Sequence, residues 1–364
     1  MKPADLQSKV IAFIRFPLIV LALFMYCDYT AITDEWANLP VASGIFHVIS
    51  QRIAPIVNPF FFFFAGYLFF KPGKFSLNIY IKKLISRAQS LFVPYMLWNL
   101  LYLIVVVVAG LFMTALPAIH KPMGDMAFTD WLLTFWNIGA ISGSEGGTTP
   151  IAISLWFVRD LMVVMLFSPV VYFLVTGFIK IGGKRPIVRW LLFLLIIFGF
   201  SFWPDIVGLN PECWLFFSFG AYYSIKKKEF IVAMLHYKIP SFIFLALLIV
   251  LEQFWPCTFI YRVEYVTGLV FGISFTTSMV RAGTWYVNMT LSNASFFVFA
   301  CHTLLLWIIM PLFTSGLLKP YNDVLAAVYS LLTVALVALG SFGLYKLMHK
   351  HLPFLTYLFM GGRR

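Results

Sequence analysis

The sequence predicts an all-α integral membrane protein of about ten transmembrane helices with both termini in the cytoplasm. Three observations carry this. Of 364 residues, 62% are hydrophobic and only 11% charged, with a mean hydropathy of +0.92; soluble domains are about half apolar and a quarter charged. The apolar residues fall into ten stretches, and the charges between the stretches alternate in sign. The net charge of +12 then reads as a topology signal, and no nucleic-acid partner is expected.

A crossing needs about 20 apolar residues. The first stretch, near 10–29, follows MKPADLQSK and has no small-residue cleavage site after it, so it is read as a retained first helix. The second, 48–70, contains NPFFFFFAGYLFF. That phenylalanine run means packing or lipid contact, and Ala65-Gly66 lets another helix approach closely. The third and fourth, 91–116 and 154–177, flank the longest connection, roughly 117–153, whose TDWLLTFWNIGAISGSEGGTTP reads as an interfacial aromatic helix followed by a flexible loop. The others lie near 187–204, 211–225 (the shortest), 239–256, 259–280, 291–316 and 323–347. With no repeat, low-complexity segment or soluble insert, residues 1–364 are expected to form a single transmembrane domain.

Most of the 26 Lys and Arg sit in the N-terminus, the even-numbered connections and the tail, whereas the odd-numbered connections hold Lys121 and Lys319 and carry acids such as Asp34, Glu35, Asp125 and Asp130. The positive-inside rule therefore puts both termini in the cytoplasm. Some charges remain inside the stretches. Arg15 lies near the cytoplasmic end of the first. Asp28, Arg52, Arg159, Asp160, Glu252, Arg262 and Glu264 fall in the outer halves of theirs, with His47 at the same level. Snorkelling and structural ion pairs would explain them. So would a polar cavity open to the outside, where a hydrophilic substrate binds. Arg15, Arg87 and the Lys-rich 71–83 segment form a basic inner rim suited to anionic lipid or to a phosphorylated cytosolic ligand.

His302, in FFVFACHTLLLW, is the one histidine deep in a stretch, about 16 Å from its inner end at 1.5 Å per residue. An ionisable group at that depth is a site candidate, although a hydrogen-bonded core histidine is the ordinary alternative. The four cysteines (Cys27, Cys213, Cys257, Cys301) show no metal-binding spacing, and no metal or resident cofactor is expected.

Five stretches together resemble acyltransferase family 3, the multi-pass membrane O-acyltransferases: IRFPLIVLALFMYCD, RIAPIVNPFFFFFAGYLFF, YIKKLISRAQSLFVPYMLWN, SLWFVRDLMVVMLFSPVVYFL and LSNASFFVFACHTLLL. They lie in the family's order and cover most of the chain. The resemblance is to members acylating surface polysaccharides, multi-pass in the cell membrane. It implies that cytosolic acyl-CoA, with acetyl-CoA the expected donor, delivers its acyl group into the bundle. A hydroxyl of an extracytoplasmic glycan then accepts it. The basic rim, with Arg15 and Arg87, would hold CoA phosphates. Asp28, His47, Arg52, Arg159, Asp160 and Glu264 would line the acceptor side.

The chain departs from the family in two places. Members usually carry an Arg in the first span and the catalytic His eleven positions on; here Arg15 is followed by Tyr26. Eleven residues advance an α-helix by about 1,100°, close to three turns, so the two would share one face. A phenol with a pKa near 10 is a poor base at neutral pH. AGY at 65–67 also stands where the family usually has Ser-Gly. Three readings follow: an active enzyme with His302 as base and Tyr26 as its partner (or His47 with Asp28 nearer the outside); a catalytically degenerate relative acting as sensor or scaffold; or a transporter or flippase of a glycan or small metabolite.

Overall fold

The computed structural model describes residues 3–27, 40–71, 73, 75–112, 119–142, 148–183, 185–204, 206–314, 320 and 322–362. Helices carry the described residues, and no strand occurs among them. α1 (Pro3–Leu23) ends in a 3-10 turn over Phe24–Tyr26. α2 (Pro40–Val48) passes through a π turn (Ile49–Ile53) and a 3-10 turn (Ala54–Ile56) into α3 (Val57–Phe70). α4 (Leu77–Arg87) continues through a second π turn (Ala88–Phe92) into α5 (Val93–Gly110). The long connection carries α6 (Phe128–Leu133) and α7 (Gly139–Ser142). Then follow α8 (Trp156–Leu166), α9 (Ser168–Gly182), α10 (Pro186–Phe200), α11 (Pro211–Ile225), α12 (Phe230–Leu235), α13 (Lys238–Phe254), α14 (Thr258–Arg281), α15 (Met289–Thr314), α16 (Asp323–His351) and α17 (Pro353–Phe359).

Among the described residues each of the ten apolar stretches is mainly helical, but they are not ten equal spans. Six continuous runs among the described residues are long and apolar enough to cross a membrane alone: Pro3–Tyr26, Gly44–Phe70, Leu77–Gly110, Thr258–Arg281, Met289–Phe313 and Asp323–His351. The fourth stretch breaks at Phe167, where Pro169 enters α9 and cannot donate back to the previous turn. The Tyr80 hydroxyl donates to the carbonyl of Leu166 just before the break, at 2.7 Å. α10 and α11, 15 residues each, measure about 22 Å against a hydrocarbon core of about 30 Å. In the long connection, the aromatic helix expected there is α6; the glycine-rich residues 143–147 lie outside the described residues.

The contacts of the chain fall into two compact units, each discontinuous in sequence: Met1–Met25, Ile45–Lys83 and Val164–Ser292 form one, and Tyr26–Gly44, Leu84–Val163 and Asn293–Arg364 the other. In the first, α3 and α11 meet backbone to backbone. A Cβ added at Gly66 would land on the carbonyl of Phe217, and one at Gly220 on the carbonyl of Phe63. Only glycines permit such an approach. The phenylalanine run then packs around the crossing: Phe63 meets Phe219 at 5.3 Å and Phe230 at 5.1 Å, both edge to face. Asn210 caps α11 by accepting from the backbone N–H of Glu212 (2.8 Å) and Cys213 (3.3 Å), and Pro211 follows at the position that needs no donor. Lys83 donates to the carbonyls of Phe69 and Lys71, satisfying groups orphaned at the end of α3. That lysine of the expected basic rim therefore serves as a helix cap.

In the second unit the long connection is tied down by side chains of α5 and α8. Asn99 accepts from Ala152 N–H at 3.1 Å, and the Tyr95 hydroxyl donates to the carbonyl of Phe135. At its C-terminus the chain returns to α5: the Trp98 indole donates to the Phe359 carbonyl at 3.1 Å, and Gly361, at φ +65°, lies on the carbonyl of Ser90. Asp323 accepts from the N–H groups of Val41 (3.0 Å) and Ala42 (2.8 Å) near the start of α2. Cys213 is buried, Cys257 is exposed, and no disulfide joins them.

Candidate active site

α15 places the histidine. Its first turn is set by Asn288, whose side chain accepts from Leu291 N–H at 3.2 Å. Four turns on, His302 is fully buried. Its Nδ1 lies 2.6 Å from the carbonyl of Phe299. A carbonyl can only accept, so Nδ1 carries the proton and the neutral ring presents a lone pair at Nε2. Nε2 has no hydrogen-bond partner among the described residues. Tyr26 lies against this ring, the centroids 5.0 Å apart at 57°. Trp156, at the start of α8, hydrogen-bonds the Tyr26 hydroxyl. Phe157 meets Phe299 edge to face at 6.1 Å, and the ring of Phe299 stands 6.0 Å from that of His302. These residues all belong to one compact unit.

The backbone beneath His302 is held by a residue that the sequence did not single out. Tyr102 of α5, fully buried, donates to the Ala300 carbonyl at 2.9 Å and accepts from Leu304 N–H at 3.2 Å. Those two groups are the ends of one helical rung, so the phenol bridges α15 one turn around the histidine. Its hydroxyl also bonds Thr303. Trp156 and Phe299 were likewise unremarked. The available signal was slight: a tyrosine inside NLLYLIVV and an aromatic three residues before a buried histidine.

The geometry that linked Arg15 to Tyr26 changes. The α-helix stops at Leu23, and the last three residues wind as a tighter 3-10 turn. The constant 100° step behind the shared face therefore fails before Tyr26. Arg15 and Arg87 are both half-buried on their helices, α1 and α4.

The expected acceptor residues do not form one group. Arg159 is buried, its Nε donating to Asp160 at 2.9 Å and one terminal nitrogen to the carbonyls of Trp136 (2.6 Å) and Thr148 (2.7 Å), with the Trp136 ring at 5.3 Å. Arg159 and Asp160 thus fasten the long connection onto α8. In the other unit, the π turn carries Arg52, which pairs with Glu252 at 2.6 Å and stacks on Tyr261 at 4.7 Å. Glu264 is fully buried beside this pair, with neither carboxylate oxygen hydrogen-bonded among the described residues. Arg262, two residues before Glu264 and also buried, faces Glu212. Arg52 with Glu252 and Glu264, and Arg262 with Glu212, make two largely buried polar groups of both signs, and Arg52 and Glu264 of the first were expected. His47 is exposed on α2. Asp28 lies outside the described residues.

No curated protein and no solved structure matches the chain. Residues 19–346 match the family model described as an acyltransferase domain. That span takes in Tyr26, Tyr102, Trp156 and His302, and it runs through helices of membrane-spanning length. The chain belongs to acyltransferase family 3, a family of membrane acyltransferases.

Proposed function

We propose that this membrane acyltransferase moves an acyl group, acetyl the first to test, from cytosolic acyl-CoA to a hydroxyl of an extracytoplasmic glycan at the cell membrane, with His302 as general base. The observation that carries the reading is the state of that imidazole. In the neutral ring the Phe299 carbonyl fixes the proton on Nδ1, and Nε2 has no hydrogen-bond partner among the described residues in a fully buried site beside Tyr26. In the step proposed, Nε2 takes the proton of the acceptor hydroxyl, whose oxygen attacks the thioester carbonyl carbon. The carbon–sulfur bond breaks, and the departing thiolate takes that proton from the imidazolium. The Tyr26 hydroxyl, oriented by Trp156, donates to the oxygen that gains charge. Arg15 and Arg87 hold the CoA phosphates, and the cluster of Arg52 and Glu264 holds acceptor hydroxyls. The reading includes ten crossings with both termini cytoplasmic.

Labelled acetyl-CoA supplied to purified protein with a glycan acceptor tests it. Transfer that His302→Ala abolishes is expected; transfer that survives His302→Ala removes the residue from catalysis. A second reading is favoured by Tyr26 itself, since the family's usual histidine is absent there. A degenerate relative would bind acyl-CoA without transfer, and Tyr26→His would switch transfer on.

A further inference from the structure

In the first compact unit α10 stands off from its neighbours. Between it and α9, α11, α13 and α14 opens a groove of about 1090 Å³. Its walls are apolar and aromatic, Phe193, Phe219 and Phe244 among them. The two ends differ. At one, the stem of Arg189 lies against Gly182, where any Cβ would collide with it, and its Nε is buried with no hydrogen-bond partner among the described residues. At the same end Phe178 meets Tyr222 at 5.8 Å, and the Lys226 ammonium sits 5.5 Å over the Tyr222 ring. At the other end Phe200 stacks on Trp203 at 5.5 Å, and the indole N–H of Trp214 is also buried without a partner among the described residues. From Arg189 to Phe200 the helix rises about 17 Å, close to the roughly 15 Å of one bilayer leaflet.

We propose that this groove is a binding site for one anionic glycerophospholipid, with an acyl chain along α10 and the headgroup phosphate on Arg189 and Lys226. Bilayer lipid would wet any apolar groove; the basic end makes this one selective. Neither the Arg189 guanidinium nor the Lys226 ammonium has an ion-pair partner among the described residues, and a phosphate oxygen supplies a charge-assisted bond to each. A zwitterionic headgroup would bring an ammonium against two cations. The length of the groove suits a chain from a single leaflet. The site lies within one unit, shares no residue with the proposed acyl-transfer centre, and does not depend on that reading.

Native mass spectrometry of the full chain, equilibrated with equal amounts of dioleoyl phosphatidylglycerol and dioleoyl phosphatidylcholine, is the test. The expected result is retention of one phosphatidylglycerol in preference to phosphatidylcholine. Arg189→Gln should weaken that retention about tenfold, the loss of one charge-assisted hydrogen bond, while Arg189→Lys keeps most of it. Ser218→Trp, which fills the middle of the groove, should remove it. Equal retention of the two lipids, or retention unaltered in both Arg189→Gln and Ser218→Trp, overturns the proposal. So does displacement of the lipid by inorganic phosphate, which would make the basic end a site for a free phosphate. Should Arg189→Gln fail to fold, the lipid preference of the wild type and the Ser218→Trp variant decide.

Discussion

His302 combines two properties that stability alone would not select: full burial and a ring nitrogen without a described partner. Such a group costs about 1–3 kcal/mol relative to a satisfied one. His302→Gln can still donate its amide to the Phe299 carbonyl and supplies no base. Transfer should fall by about 10²–10⁴-fold, with the unfolding midpoint in detergent unchanged; a large fall in that midpoint would assign the residue to packing. Tyr26→Phe keeps the ring on His302 and loses the hydroxyl on Trp156, so it should cost less activity than His302→Gln. A Tyr26→Phe variant as inactive as His302→Gln would make the phenol an equal partner in the chemistry. His302 was legible in the sequence because an ionisable residue stands out in an apolar run. Tyr102 was not, because a phenol bridging a helical rung leaves the same letter as one packing against lipid. Arg159 was misleading for the opposite reason: its charge drew attention, yet its guanidinium is spent on two backbone carbonyls and its neighbour Asp160.

At the scale of elements, the α3–α11 crossing is the tightest contact and depends on two missing methyl groups. Gly66→Ala and Gly220→Ala each put a Cβ on a facing carbonyl, and overpacking of this kind costs about 1–3 kcal/mol. Each should lower the thermal unfolding midpoint. Gly177→Ala, with nothing within 4 Å of its added Cβ, should not, and equal effects at all three positions would dismiss the close crossing. Ala65-Gly66 pointed to that contact from sequence; which helix it meets was not legible, since a small residue marks a face and not its partner. A second element, α6, has a pH-sensitive start. Lys121 (2.7 Å), and then the Ala127 N–H (3.0 Å), hold the Asp130 carboxyl below the ordinary carboxylate range. A lowered folded-state pKa gives stabilisation that is present above the unfolded value of about 3.9 and is lost as pH falls through the folded value. The protection of the amides across 128–133, taken relative to their intrinsic exchange rates, should therefore fall on acidification below about pH 4, and in Asp130→Asn it should be low throughout and lose that fall.

For the whole molecule, orientation rests on counting crossings, and the count turns on the two short helices. α10 and α11 adjoin in sequence, so if both cross or neither does, everything after them keeps the same side; if one crosses alone, everything after them flips. The charges favour both crossing: Lys180 and Arg185 precede α10 and Arg189 lies in its first turn, Lys226, Lys227 and Lys228 follow α11, and the turn between the two helices holds Asp205 and no Lys or Arg. Local bilayer thinning accommodates about 22 Å helices at modest cost. The native cysteines provide the test without engineering. Cys27, Cys213 and Cys301 are buried, and Cys257, between α13 and α14, is exposed. With the N-terminus in the cytoplasm and ten crossings, Cys257 faces outward. A membrane-impermeant maleimide added to intact cells should label the wild-type protein at one site, and Cys257→Ser should abolish the labelling. Labelling of Cys257 only after the membrane is opened would reverse the orientation. The basic rim would then face the outside, where cytosolic acyl-CoA cannot reach it, and the proposed direction of acyl transfer would fall with it.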